Sequence, residues 1–417
     1  GRAWLLREQL APKSTEAAIL ELGSLQERLG ESGAVYVHLS ESLAGASFAF
    51  IVSSEGIKVV RLAVPHSLMA DLEIANYHMA KGSPDELCDP PLTRLGDALV
   101  GPLVADLPED GRGVLFSLPG SLSDLPLDAL RYQSEGSARV LGEHYATALV
   151  PSATTWDALE NRLAPSEGVY AFADPTFDLS KESLLALTRF RDVLGLPLPQ
   201  AREEARTITR GRGRSLVGEA ASKTQFLQLI DRDLGVLHFA THAVVDPVYP
   251  EQSALLLAGG EDDRLTAGEI EAHPFHADLV TLSGCRTGGG LSYVGEGTLG
   301  LMRSFFVAGA RSVVMSRWDV EDRAARHFME EFYSALESGQ NRATAMKTAR
   351  MRLRQEGFLH RDRSAFVLAG VATEPVLALA RHEEPDHDRA RLLALAVFVL
   401  LVGSLLVRNL RRRSHLA

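Results

Sequence analysis

The sequence predicts an α/β fold: a mostly parallel central sheet flanked by helices, with an α+β first half and a single transmembrane helix at the C-terminus. Three observations predict it. In the second half, runs apolar at nearly every residue (VYAFA, VLHFA, ALLLA, DLVTLS, RSVVMS) mostly alternate with helical stretches such as KTQFLQLI, TLGLMRSFFVAGA and DRAARHFMEEFYSALES. Strands of that kind are buried on both faces, as in a parallel sheet covered by helices. The first half carries shorter β-rich runs broken by turn residues, and the far end carries an uncharged apolar run.

Residues 1–30 hold leucine and alanine at helical spacing (WLLREQL, AAILELGSLQERL) and read as a helical arm, either packing on the body or ending a helical repeat array upstream. AVYVHL, SFAFIVS and IKVVRLAV, separated by Ser, Glu and Gly, read as a β-meander. A helical stretch at about 67–104 follows, then the strand GVLFSL, then PGSLSDLPLDAL and YATALVPSATTW. This half offers no convincing nucleophile. The connection from about 175 to 222 reads as a long loop, and its RGRGRS, with Arg210, Arg212 and Arg214, as a solvated basic turn.

Residues 374–391 read as a polar, acidic linker, and Leu392 to Val407 as sixteen residues without a charge. A spanning helix needs about 20 residues, about 17 at the least. Arg391 and Arg408 flank the run and extend its reach by snorkelling. A transmembrane helix is therefore expected over 392–408, touching membrane lipid through Leu392 to Val407, with a basic tail at 409–417. The positive-inside rule applied to RNLRRR would put the body outside. With no readable signal and no disulfide framework, the body is instead expected on the cytoplasmic side of a single-pass C-terminal anchor.

A length of 417 residues allows two core-sized units, and 46% apolar content excludes wholesale disorder. The net charge of -11, with arginines interleaved among acids, excludes a nucleic-acid partner. Cys88 and Cys285 match neither a zinc spacing nor a disulfide framework, and no EF-hand-like ligand series is present. No metal or cofactor is expected. Gly295, Gly297 and Gly300 spell GxGxxG before a helix, but the preceding strand ends twelve residues too early for a dinucleotide fingerprint.

The chemistry is expected at two strand ends. Cys285 follows DLVTLSG, where a sharp turn exposes a side chain at the carboxyl edge of a parallel sheet. His242 follows VLHFAT, 43 residues earlier, with one strand and a crossover expected between. Neighbouring strands ending at one edge bring such side chains within hydrogen-bond reach, and a histidine beside a thiol favours the thiolate. His238, inside the apolar run, reads as a satisfied core histidine. Gly284 and Gly288 to Gly290 allow backbone N–H groups, Cys285's own included, to face an oxyanion.

HFATHA, SALLLA, LTAGEI, ADLVTLSGCRTGGG, GEGTLGLMRSFFVAGARSVVMSRWDVED and FYSALESGQNRATAMKTARMRLR together resemble the CHAT family of caspase-like cysteine proteases, in the wider clan that holds caspases and separase. LPGSLSDLPLDAL, YATALVPSATTW, FADPTFD and REEARTI resemble that family's first half, in the same order. The resemblance spans roughly 30–372. It implies a pseudo-caspase-like half at 31–165 and a catalytic caspase-like half at 166–373. His242 falls on the family's catalytic histidine and Cys285 on its nucleophile. SGC stands where SAC is commoner, and Arg363 and Ser364 stand where the family has an aromatic.

Asp319 and Asp322, in SRWDVED, follow the strand RSVVMS and also hang at the carboxyl edge. A carboxylate flooring a specificity pocket selects a basic side chain; in separase, which this region resembles, an acidic residue after this strand does so. Asp322 also suits a helix N-terminal cap, Asp319 a turn, and Trp318 either a pocket wall or simple packing. Expected overall is a membrane-tethered cysteine endopeptidase cutting protein or peptide substrates after Arg or Lys, with the backbone at Ala243 and Cys285 holding the oxyanion. RGRGRS then becomes a self-cleavage site. The alternative is a catalytically silent or zymogen-like adaptor acting by protein–protein contact.

Overall fold

A strand that is apolar on every residue needs cover on both faces, and this chain supplies it with helices from distant parts of the sequence. The computed structural model describes residues 19–41, 47–108, 112–118, 120–177, 198–246, 248–258, 264–284 and 296–379. In chain order the strands are β1 (Val35–Glu41), β2 (Ser47–Ser53), β3 (Gly56–Leu62), β4 (Gly113–Ser117), β5 (Arg131–Ser134), β6 (Ser137–Val140), β7 (Ala146–Leu149) and β8 (Val169–Pro175). They continue with β9 (Gly213–Gly218), β10 (Asp233–Ala240), β11 (Ala243–Val244), β12 (Ala254–Leu256), β13 (Arg264–Thr266), β14 (His276–Leu282), β15 (Ala310–Ser316) and β16 (Phe366–Gly370). The longer helices are α1 (Leu22–Ser32), α2 (Leu68–Lys81), α3 (Asp85–Leu99), α4 (Ala153–Glu160), α5 (Pro199–Thr209), α6 (Ala267–Ala272), α7 (Glu296–Ala308), α8 (Asp322–Glu337) and α9 (Arg342–Gln355).

Eleven strands form one mixed sheet in the order β3-β2-β1-β4-β7-β16-β15-β14-β10-β8-β9. β1, β4, β7 and β16 run parallel to one another. So do β15, β14, β10, β8 and β9. The two sets meet antiparallel at β15 and β16, so their carboxyl edges lie at opposite rims. The expected meander, β1 to β3, is the antiparallel margin of this same sheet.

Side chains of β10 and β14 alternate between two covers. Leu237, Phe239, Val280 and Leu282 face a cluster with Ile270 of α6 and Phe305 of α7. Val236 and Leu279 face the opposite cluster, which holds Phe328 and Phe332 of α8. Distant motif stretches are tied together by buried ions. Asp128, in SLSDLPLDAL, pairs with Arg350 of α9 at 2.8 Å. Asp278 of β14 accepts from both Arg311 and Arg342, and Arg311 also reaches Glu374 at 2.8 Å.

Several expectations change. ALLLA is β12, in a separate three-stranded antiparallel sheet with β11 and β13, and not a strand of the main sheet. The helical stretch at about 67–104 breaks into α2 and α3 at Gly82, whose φ of 67° suits a residue without a Cβ, ahead of Pro84. The connection from about 175 to 222 contains α5 and the edge strand β9, while 178–197 lie outside the described residues. RGRGRS therefore runs from a turn into β9, and Arg212 donates to the Leu379 carbonyl and pairs with Glu337. Of the helical arm, α1 is described and residues 1–18 lie outside.

The membrane expectation is corrected. Among the described residues no helix is long and apolar enough to cross a membrane, and the run Leu392 to Val407 lies outside them. The single-pass anchor, the lipid contact and the localisation built on that run are accordingly withdrawn.

Candidate active site

The carboxyl ends of β10 and β14 lie side by side. Their register pairs His238 with Thr281 and Phe239 with Leu282, and the Ser283 N–H donates to the Phe239 carbonyl at 2.8 Å. Followed outward, this register sets Thr241 beside Gly284. A Cβ built on Gly284 would lie 2.7 Å from both the N and the O of Thr241, so these two backbones touch and alanine does not fit. The SAC form of the motif would therefore collide in this chain. Cys285 and Gly288 to Gly290 lie outside the described residues.

His242 stands two residues past the end of β10 and is 1% exposed. Its carbonyl accepts from Leu256 N–H at 2.9 Å and from the Thr241 hydroxyl at 3.1 Å. Its ring centroid lies 6.3 Å from that of Phe177. The small sheet beyond fixes the exit direction, pairing Ala243 with Leu255. Because the bond from Leu256 to His242 marks 242 and 256 as the hydrogen-bonded pair, Ala243 occupies a non-hydrogen-bonded position and its N–H points away from β12.

FADPTF, read only as a signpost, builds part of this rim. Asp174 holds φ at 43°, left-handed backbone that aspartate tolerates better than most residues. Its carboxylate accepts from Leu198 N–H at 2.8 Å and from Arg202, anchoring the start of α5 to the end of β8.

The acidic loop after β15 divides. Asp322, the first residue of α8, accepts from Gln200 N–H at 3.3 Å and lines a cavity of about 30 Å³ with Ser283, Gly284 and Glu204. The N-cap position belongs to Glu321, which makes no side-chain cap bond. Trp318 is packed in the core, 2% exposed, with its indole N–H donating to the Arg361 carbonyl at 3.1 Å. The Asp319 carbonyl accepts from the Arg361 guanidinium. The structure thus brings Asp322 to the strand ends that carry His242 and Gly284, and sets the backbone of Asp319 and the indole of Trp318 against Arg361.

Beneath the rim lies a buried polar chain. His238, fully buried, has Nδ1 3.1 Å from the Tyr333 hydroxyl and Nε2 2.8 Å from Glu204 Oε1. The Tyr333 hydroxyl donates to Thr281 Oγ1 at 2.9 Å. Burial pushes the Tyr333 phenol well above its ordinary value. His238 is therefore a partnered core histidine. Glu204 and Phe177 went unseen in the sequence; the only signal was an acid and an aromatic in stretches, REEARTI and FADPTFD, that resemble family motifs.

The model of the CHAT domain matches residues 89–386. Tetratricopeptide repeat protein 28 of Homo sapiens is 24% identical over 307 residues, covering 62% of this chain and 12% of that protein. Its Mus musculus counterpart is 25% identical over 310 residues, with 61% and 12% covered. The chain thus spans 12% of the length of the curated relatives it matches. Among solved structures, the Saccharomyces cerevisiae separase–securin complex is similar at a TM-score of 0.45 and 12% identity, covering 84% of this chain and 31% of that one. The Arg-specific cysteine proteinase gingipain R is similar at a TM-score of 0.41 and 8% identity, covering 73% and 74%.

Proposed function

Because the chain belongs to the CHAT domain family, we propose that it is a cysteine endopeptidase in which His242 and Cys285 form the catalytic dyad. The observation that carries this reading is the contact between Thr241 and Gly284, the residues immediately before the two members of the pair.

In this mechanism His242 takes the proton of Cys285, and the thiolate attacks the scissile carbonyl carbon to form a C–S bond. The N–H groups of Cys285 and Ala243 hold the oxyanion, the latter already turned out of its ladder. His242 gives its proton to the leaving amine as the C–N bond breaks. Water, deprotonated by the same imidazole, then attacks the thioester and frees the thiol. Asp322 adds negative potential to the rim, which favours a basic side chain before the cut without a direct contact in its small cavity, and Asp319 and Trp318 shape the loop through Arg361.

The test is covalent labelling of the purified chain by an electrophilic peptide ending in arginine. Stoichiometric labelling is expected, lost in Cys285→Ala and strongly slowed in His242→Ala. Labelling that survives Cys285→Ala would overturn the dyad, and a library preference for Asp or for bulky apolar residues would overturn the basic specificity. A second reading, a silent adaptor, is favoured by the 1% exposure of His242. An unlabelled wild type that unfolds cooperatively would establish it.

A further inference from the structure

The cavity at the rim is too small for a substrate side chain. At about 30 Å³ it has room for one or two water molecules. Its polar lining comes from Glu204, Ser283 and Asp322. Ser283 is 3% exposed and its hydroxyl has no protein hydrogen-bond partner. Glu204 is 2% exposed, and although its Oε1 lies 2.8 Å from His238 Nε2, neither atom makes a well-aligned hydrogen bond. A buried hydroxyl and a buried carboxylate facing one small polar space are the conditions under which a water is held as part of the structure.

We propose that this cavity is an ordered-water site joining Glu204 to Ser283, and that through it Glu204 acts as a positioning residue for the strand end at Ser283 and Gly284, the residues that precede Cys285 in the sequence. The water donates to the Glu204 carboxylate and bonds the Ser283 hydroxyl, with the Asp322 carboxylate as a third partner. Glu204 is held in place from behind. His238 pairs with it, Tyr333 bonds His238 and also Thr281, and Thr281, on β14, stands two residues before Ser283. The chain therefore closes a loop through α5, β10, α8 and β14, and its last link sits beside Gly284.

The positioning role rests on the protease reading; the water site does not. A crystal structure of the full chain at high resolution is expected to show one water peak within hydrogen-bond distance of both Glu204 and Ser283. An empty cavity, or a cation revealed by anomalous scattering, would overturn the site. In solution, Ser283→Ala and Glu204→Gln should each lower the maximal rate of labelling by the arginine peptide about threefold to tenfold, with the half-saturating peptide concentration unchanged. Because both act through one water, the double variant should be no slower than the slower single one. Additive losses, or losses confined to the half-saturating peptide concentration, would overturn the positioning role. If wild type is not labelled, the protease reading has failed, and the peak and a double-variant cycle on thermal stability still decide the water site.

Discussion

β14 is held in two different ways at its two ends. At its start Asp278, fully buried, accepts from Arg311 and Arg342, and Arg311 continues to Glu374. Two positive and two negative groups balance in that cluster. At its far end, about 10 to 20 Å along the strand direction, stand Thr281, Ser283 and Gly284, neutral and small, against a second pair of small residues, Ala240 and Thr241. The strong ionic clamp is placed away from the chemistry, where charges would compete with a thiolate and imidazolium for each other. The end next to His242 is fixed instead by the backbone contact of Thr241 with Gly284 and by one buried pair, Glu204 with His238, whose ring also meets the Tyr333 hydroxyl. Stability and reactivity should therefore separate cleanly between the two ends.

The largest expected effect breaks the far end. Cys285→Ala should abolish peptide labelling, and His242→Ala should slow it by about 10² to 10⁴. Cys285→Ala removes a single sulfur atom and should leave the thermal midpoint within a few degrees of wild type, whereas His242→Ala empties a buried site and is read as labelling rate per folded molecule. A fall in labelling matched by a fall in stability would show that the two ends are not independent.

The reverse case is Asp278→Ala, which strands two buried guanidinium groups. Breaking a buried pair from one side costs about 3–5 kcal/mol. Urea unfolding should show an unfolding free energy lowered by that amount, seen as an earlier midpoint at unchanged slope, while labelling below the transition keeps its wild-type rate. Gly284→Ala should do both kinds of damage at once. Its Cβ would meet Thr241 backbone at 2.7 Å, which the strand can relieve only by shifting. A loss of about 1–3 kcal/mol is expected, together with a drop in labelling rate that Asp278→Ala does not show. Unchanged stability and rate in Gly284→Ala would mean that the two strand ends are looser than their contact implies.

How much of this was readable beforehand follows from what a single strand can encode. VLHFA and DLVTLS are mostly apolar and buried throughout, so their place in the sheet centre, and the rim position of His242, were legible. ALLLA carries the same pattern, yet it builds the small sheet, because an apolar run says that a strand is covered and not by which partner. The edge strand β9 hid as a loop since GRSLVG keeps charge and glycine, which edges tolerate and centres do not. The Glu204, His238 and Tyr333 chain was out of reach for another reason. Its members lie up to 129 residues apart and meet only when α5 and α8 cover the same face.

The smallest effect sharpens the comparison by making the ionic end respond to pH. Glu160, at the end of α4, lends its carbonyl to Arg311 at 3.2 Å. Burial, and then the nearby Glu374 carboxylate, push its own carboxyl up to about 7, against the partial relief of Arg28 and Arg311. A carboxyl raised above its unfolded value holds its proton longer in the folded state than in the unfolded one. Folding is therefore favoured below the ordinary carboxylate range and loses stability as pH rises from about 4.5 to about 7. Glu160→Gln removes the ionisation but keeps the shape, so its thermal midpoint should fall less over that window than that of wild type. The labelling rate at a fixed pH should be the same in both, since this carboxyl sits at the end of the strand that the dyad does not use. Parallel midpoint curves for the two proteins would show that Glu160 ionises as freely as it does in the unfolded chain.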